Sequence, residues 1–120
     1  MNYKLINSDY LDSVSGGDPQ FIAEIVAMFS VQVNEFFEEM KRLHSGKDFR
    51  ALGMMAHKAK SSVAIMGMSE LATILKTLEL SAKEGKDTEL YESYINKFGE
   101  DTKNAVTELN DLVKNRIKRS

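Results

Sequence analysis

Apolar residues recur along most of this chain at the three- and four-residue steps of a helix, and few stretches alternate as strands do. The longest run follows Gly16-Gly17-Asp18-Pro19, where Asp18 is placed to cap a helix and Pro19 to occupy its first turn. Ile22, Ile25, Val26, Phe29, Val33, Phe36, Phe37, Met40 and Leu43 then mark one face until Ser45-Gly46. A second helix is predicted from Asp48, with Phe49, Leu52, Ala56, Ala59 and Val63 inward and Gly67 just past its end. Ser69 is placed to cap a third, striped by Leu71, Leu75, Leu78 and Ala82 and stopped by Gly85. Asp87 or Thr88 starts the fourth, whose inward set reads Leu90, Tyr94, Phe98, Ala105, Leu109 and Leu112. Gly99 interrupts that helix, costs about 1 kcal/mol relative to alanine and leaves room for a bend. Ser8 to Val14 reads as one short helix ahead of the others. Short loops between long helices make neighbours antiparallel. The expected fold is all-α: an antiparallel up-down-up-down four-helix bundle with a short extra N-terminal helix, forming one domain over residues 1–120.

Composition narrows the chemistry. With 120 residues, 42% apolar and 28% charged, the chain has the size and balance of one ordinary globular domain. The net charge of −2 argues against duplex DNA as the main partner, because phosphate neutralisation needs a basic patch. Cysteine is absent, which excludes disulfides, thiolate metal sites and thiol nucleophiles, and two histidines are too few for a His-rich metal site. No apolar run is long enough to span a bilayer, and the opening residues do not read as a secretory signal. A free-standing, cytoplasmic monomer is therefore expected. No Walker loop or GxGxxG occurs, so no ATP site is expected.

His57 does not fit a plain bundle. Taken at about 100° per residue, its position on the second helix is roughly 140° from the core stripe and so faces solvent. Small residues share its face, Gly53 one turn before, Ser61 one turn after and Ala64 two turns after, and they give a partner room to approach. Lys60 stands beside Ser61, and Arg50 lies two turns back. Cations around an imidazole suit a ring that comes to carry an anion, and imidazole is a competent nucleophile near neutral pH. Phosphoryl transfer needs an aligned nucleophile, with positive charge at the phosphoryl oxygens.

Other features read as structural. Met40 and Met66 are assigned to the core, and Met54 to the His57 flank as a partner contact. Phe21, Met28 and Val31 read as the edge of the core. Lys58 reads as solvated, His44 as complementing a helix dipole, and Glu38 as pairing with Arg42 at i+4. Glu79 has the spacing of a surface carboxylate paired with Lys83 at i+4. Lys114, Arg116, Lys118 and Arg119 read as a solubilising, dipole-matched end.

The stretch Ala56-His57-Lys58-Ala59-Lys60-Ser61-Ser62, with Gly67 ten residues after the histidine, resembles the histidine-containing phosphotransfer (HPt) domain family. That family's pattern is His-x-x-Lys-Gly-Ser/Ala, followed by a glycine at this distance. Gly16-Gly17-Asp18 with Phe21 and Phe29 is similar to the family's opening, and Leu78-Glu79 to its third-helix pair. The resemblance covers roughly residues 3 to 84 by motif, and the last helix by pattern only. It implies His57 as phosphoacceptor, Lys60 against the phosphoryl oxygens and Glu79 hydrogen-bonded to the imidazole. Helical geometry agrees, since His57 and Glu79 stand ten and twelve residues from Gly67, an offset of about 3 Å across an antiparallel pair. The implied partners are response-regulator receiver domains and a hybrid sensor histidine kinase. The transfer chemistry would be shared with a receiver that carries the phospho-Asp and Mg²⁺, so this chain is expected to be a phosphocarrier rather than a self-sufficient enzyme, with no cofactor of its own. Ser61 departs from the family glycine. It is the one feature favouring the alternative, a receiver-docking bundle that no longer carries phosphate.

Overall fold

The computed structural model describes the backbone of residues 4–119; of the basic C-terminal cluster, the side chains of Arg116, Lys118 and Arg119 lie outside the described residues. Among the described residues five α-helices follow one another: α1 (Ser8–Ser15), α2 (Pro19–Ser45), α3 (Phe49–Ile65), α4 (Ser69–Glu84) and α5 (Tyr91–Arg119), with a 3-10 turn at Thr88–Leu90 before α5. Among the described residues there is no strand. Nor is any helix among them long and apolar enough to cross a membrane.

Helix starts follow their caps. Asp18 accepts from the Gln20 N–H at 3.0 Å with Pro19 in the first turn, and Asp48 accepts from the Ala51 N–H at 3.2 Å. The start of α4 differs from expectation. Met68 holds the cap position without a side-chain hydrogen bond, and Ser69 lies within the first turn. Met68 is itself buried in the core, so packing rather than capping sets this boundary.

Leu52, Ala56, Ala59 and Val63 of α3 are buried against Leu71, Leu75, Leu78 and Ala82 of α4, with Phe29, Val33 and Met40 of α2 and Phe98, Ala105 and Leu109 of α5 completing the core. α3 packs chiefly on α4, and α2 on α5 and α3. His57 meets Glu79 and Gly53 meets Ala82 across the α3–α4 contact, while Gln32 meets Ser62 and His44 meets Phe49 between α2 and α3.

The phase of α5 corrects the sequence reading. Leu90 is exposed and Tyr94 only half-buried, whereas Tyr91, Ile95 and Phe98 face inward. The 3-10 turn resets the register, and Tyr91 is fully buried because its hydroxyl reaches the carbonyls of Ser81, at 2.8 Å, and Lys86. The Phe49 ring meets the Tyr91 ring edge-on at 5.1 Å. Arg42 pairs with Glu39 rather than Glu38, which pairs with Lys41.

Gly99 marks a close approach: α5 continues through it, and a Cβ there would lie 2.5 Å from Phe37 Cε1. At the α3–α4 turn Gly67 has φ +75°, and a Cβ would lie 2.5 Å from that of Asn7. The N-terminal segment crosses here. Asn7 N–H donates to the Met66 carbonyl at 3.3 Å, and the Leu5 and Ile6 N–H groups donate to Glu108 at 3.1 and 3.3 Å.

Gly99→Ala should therefore destabilise the fold by about 1–3 kcal/mol through overpacking, even though alanine favours a helix by about 1 kcal/mol. Urea unfolding of Gly99→Ala, Phe37→Leu and the double variant forms the check. In the Phe37→Leu background the alanine should be tolerated or stabilising, and strictly additive losses would contradict the ring contact as the cause.

Candidate functional site

His57 lies at the centre of α3, with the apolar face of that helix turned to the core, and its side chain is 59% exposed. Its Nδ1 is 2.9 Å from Glu79 Oε2 on α4. Glu79 is the unusual member, a carboxylate only 5% exposed within an otherwise apolar helix face. Its remaining capacity is filled by Lys60 Nζ, which donates to Oε1 at 3.2 Å, and by Lys83 Nζ, which donates to Oε2 at 3.2 Å. The three residues singled out from sequence, His57, Lys60 and Glu79, are thus brought into one cluster. Glu79 answers both of its sequence readings at once, since it pairs with Lys83 at i+4 and reaches His57 on the next helix.

Burial pushes the Glu79 carboxyl up, but hydrogen bonds from Lys83, Lys60 and His57 outweigh it and hold the group below its ordinary value of 4.5. Glu79 is therefore ionised at neutral pH and can only accept, so His57 Nδ1 carries the proton of that hydrogen bond. In the neutral ring this tautomer leaves the Nε2 lone pair available. The exposed imidazole thereby has a fixed tautomer and orientation, an arrangement that can serve a nucleophile.

Gly53 requires a correction. It is buried rather than part of the exposed face, and a Cβ there would lie 3.2 Å from the Glu79 carbonyl oxygen and 3.3 Å from Ala82 Cβ. Its missing side chain lets the α4 backbone approach α3 one turn before His57, which sets the depth at which Glu79 meets the imidazole. Ser61, Ala64 and Lys58 are exposed as expected. Met54 is exposed too, and with His57, Lys58, Glu79 and Lys83 it lines a cavity of about 240 Å³. Phe21, Met28 and Val31 are 45%, 63% and 60% exposed, so they form surface and not core edge. Met28 joins Ile25, Ile65, Ser61 and Ser62 along an apolar groove between α2 and α3.

The sequence marks Lys83 only as a helix-surface partner. Its i+4 spacing from Glu79 is the available signal, and the meaning of that spacing depends on Glu79 being buried beside His57.

The family model that matches this chain is that of the Hpt domain, over residues 24–115. No curated protein and no solved structure matches it.

The depressed Glu79 carboxyl fixes a sign. Its folded-state pKa lies below the unfolded value, so its stabilisation is fully present above about pH 4.5 and is lost as pH falls through the lower folded value. Glu79→Gln should lower stability by about 1–3 kcal/mol at pH 7, through the loss of charge-assisted hydrogen bonds. Thermal melts from pH 7 to 3 should then show the curves of the wild type and the Glu79→Gln variant converging in acid. A gap that stays constant across this range would mean that the carboxylate's charge does not supply the stabilisation.

Proposed function

This chain belongs to the Hpt domain family, whose members serve histidine phosphotransfer in phosphorelays, and on that premise we propose that His57 accepts a phosphoryl group from the phospho-Asp of one receiver domain and passes it to another. The observation that carries this reading is the 2.9 Å contact between His57 Nδ1 and the buried carboxylate of Glu79, which leaves Nε2 outward and nucleophilic. In the transfer, the Nε2 lone pair attacks phosphorus and the P–O bond to the aspartyl group breaks. Its electron pair stays on the aspartate as carboxylate. The product ring keeps its Nδ1 proton, so no base is needed to remove one, and the positive charge it gains lies against Glu79. Lys60 supplies positive charge near the phosphoryl oxygens, and Mg²⁺ belongs to the receiver. The chain is a phosphocarrier whose chemistry is completed by its partner.

The proposed architecture is one domain over residues 1–120, an up-down-up-down bundle of α2 to α5 with α1 as its short N-terminal addition. Supporting it, the contacts of His57 with Glu79 and Gly53 with Ala82 progress in opposite senses along α3 and α4. The partners in this reading are response-regulator receivers and a hybrid sensor kinase, met by a cytoplasmic monomer. Ser61, Ala64 and the apolar groove with Ile65 and Met28 form the docking face; Gly53 is excluded from it by burial.

His57→Gln should abolish phosphate acceptance from a phosphorylated receiver while changing stability by less than about 1 kcal/mol, since the position is exposed. The wild-type product should be acid-labile and base-stable, as a phosphoramidate is. Label retained on the His57→Gln chain, or label that survives acid, would move the acceptor to a hydroxyl such as Ser61.

Ala64→Trp should leave melting nearly unchanged yet weaken receiver affinity and block transfer, because in-line attack needs an approach of about 3–3.5 Å that an indole on this face prevents. Titration of the receiver and single-turnover transfer test it together. Normal affinity with normal transfer would place docking on another face.

A further inference from the structure

We propose that Lys83 is a second phosphate-side cation, and that it exchanges Glu79 for the phosphoryl group when His57 is loaded. This rests on the reading of His57 as acceptor. Two cations hold Glu79, but they are not equivalent. Lys60 alone occupies Oε1 and its side chain is 26% exposed. Lys83 shares Oε2 with the His57 Nδ1–H, at 3.2 and 2.9 Å, and its side chain is 55% exposed. The open cavity beside the imidazole is lined by Lys83 and not by Lys60. Room for an ammonium to move therefore lies on the Lys83 side.

The exchange replaces one contact of Lys83 with another. Lys83 is the more exposed of the two cations, and when it turns away Glu79 keeps the Lys60 donor on Oε1 and the Nδ1–H donor on Oε2. A phosphoryl group on Nε2 brings negative charge to the same neighbourhood, and a lysine ammonium on a flexible stem can turn its three donors toward it. Departure of Lys83 leaves Oε2 to the Nδ1–H alone. That is the moment at which the ring, substituted on both nitrogens, carries positive charge and draws most on the carboxylate. Lys60 stays on Oε1 and keeps Glu79 in place. Lys83 thus couples the arrival of charge on one side of the ring to support on the other, and it favours the loaded state over the empty one.

The experiment is an equilibrium partition of label between the 120-residue chain and a receiver, read for wild type, Lys83→Met, Lys83→Arg and the remote charge control Lys103→Met on α5. Lys83→Met should reduce the carrier-bound fraction relative to the receiver by roughly 3- to 10-fold, and Lys83→Arg should restore it to within about twofold. Lys103→Met should leave it unchanged. Melting curves of each variant separate folding from transfer. NMR of the Lys83 side chain should show its Nζ resonance moving on loading more than that of Lys60. An unaltered partition in Lys83→Met, a loss of equal size in Lys103→Met, or a Lys83 resonance indifferent to loading would overturn the proposal while leaving His57 as acceptor. Label accepted by His57→Gln would instead remove the reading beneath it.

Discussion

A carboxylate buried in a helix interface is the constraint on which this site depends. Burial alone makes an ionised Glu79 costly, and the cost is offset only while its oxygens are filled by donors. Those donors come from two helices: His57 and Lys60 from α3, and Lys83 from α4 itself. The polar cluster therefore pins the register of α3 against α4 more tightly than their apolar contacts could. Aliphatic packing tolerates sliding and repacking, whereas a carboxylate with three donors accepts few positions.

The backbone is arranged to make that meeting possible. Gly53 allows α4 to approach where any side chain would meet the Glu79 carbonyl or Ala82. Gly67 turns the chain with a left-handed φ and accepts Asn7 across it. Tyr91 closes the far end by reaching the Ser81 and Lys86 carbonyls, which ties down the end of α4 on either side of Lys83. Each of these contacts acts on the spacing of α3 and α4, so the geometry at His57 depends on both ends of the hairpin.

The helices were legible because hydrophobic spacing and glycine punctuation coincide, as at Asp18-Pro19 and Gly85. The placements of His57 outward and Glu79 level with it were legible from helical periodicity and the symmetry of a short turn. What failed had a common origin in tertiary contact. Gly53 read as part of an open face but makes room for the backbone of another helix, and the approach of the Phe37 ring to Gly99 has no signal along the chain. Leu90 and Tyr94 read as inward until the 3-10 turn and the buried Tyr91 hydroxyl shifted the phase. Phe21, Met28 and Val31 have the composition of core residues, and only the positions of the neighbouring helices reveal them as surface.

In the role proposed for His57, the charges around Glu79 bear on reversible carriage. Glu79 offers one negative charge to two ammonium groups, so a surplus of positive charge lies beside the imidazole. A site with no carboxylate would present both lysines to the phosphoryl group without competition and bind it as a trap. A site with the carboxylate but only one lysine would have little charge left to offer. With one buried acceptor shared among three donors, a phosphoryl group on His57 as proposed would gain contacts only as others are released, which would keep the net preference for the loaded state small. A carrier that must give up what it accepts needs such a near balance, and in the proposed role it would follow from the buried Glu79 carboxylate placed one helix away from the exposed imidazole.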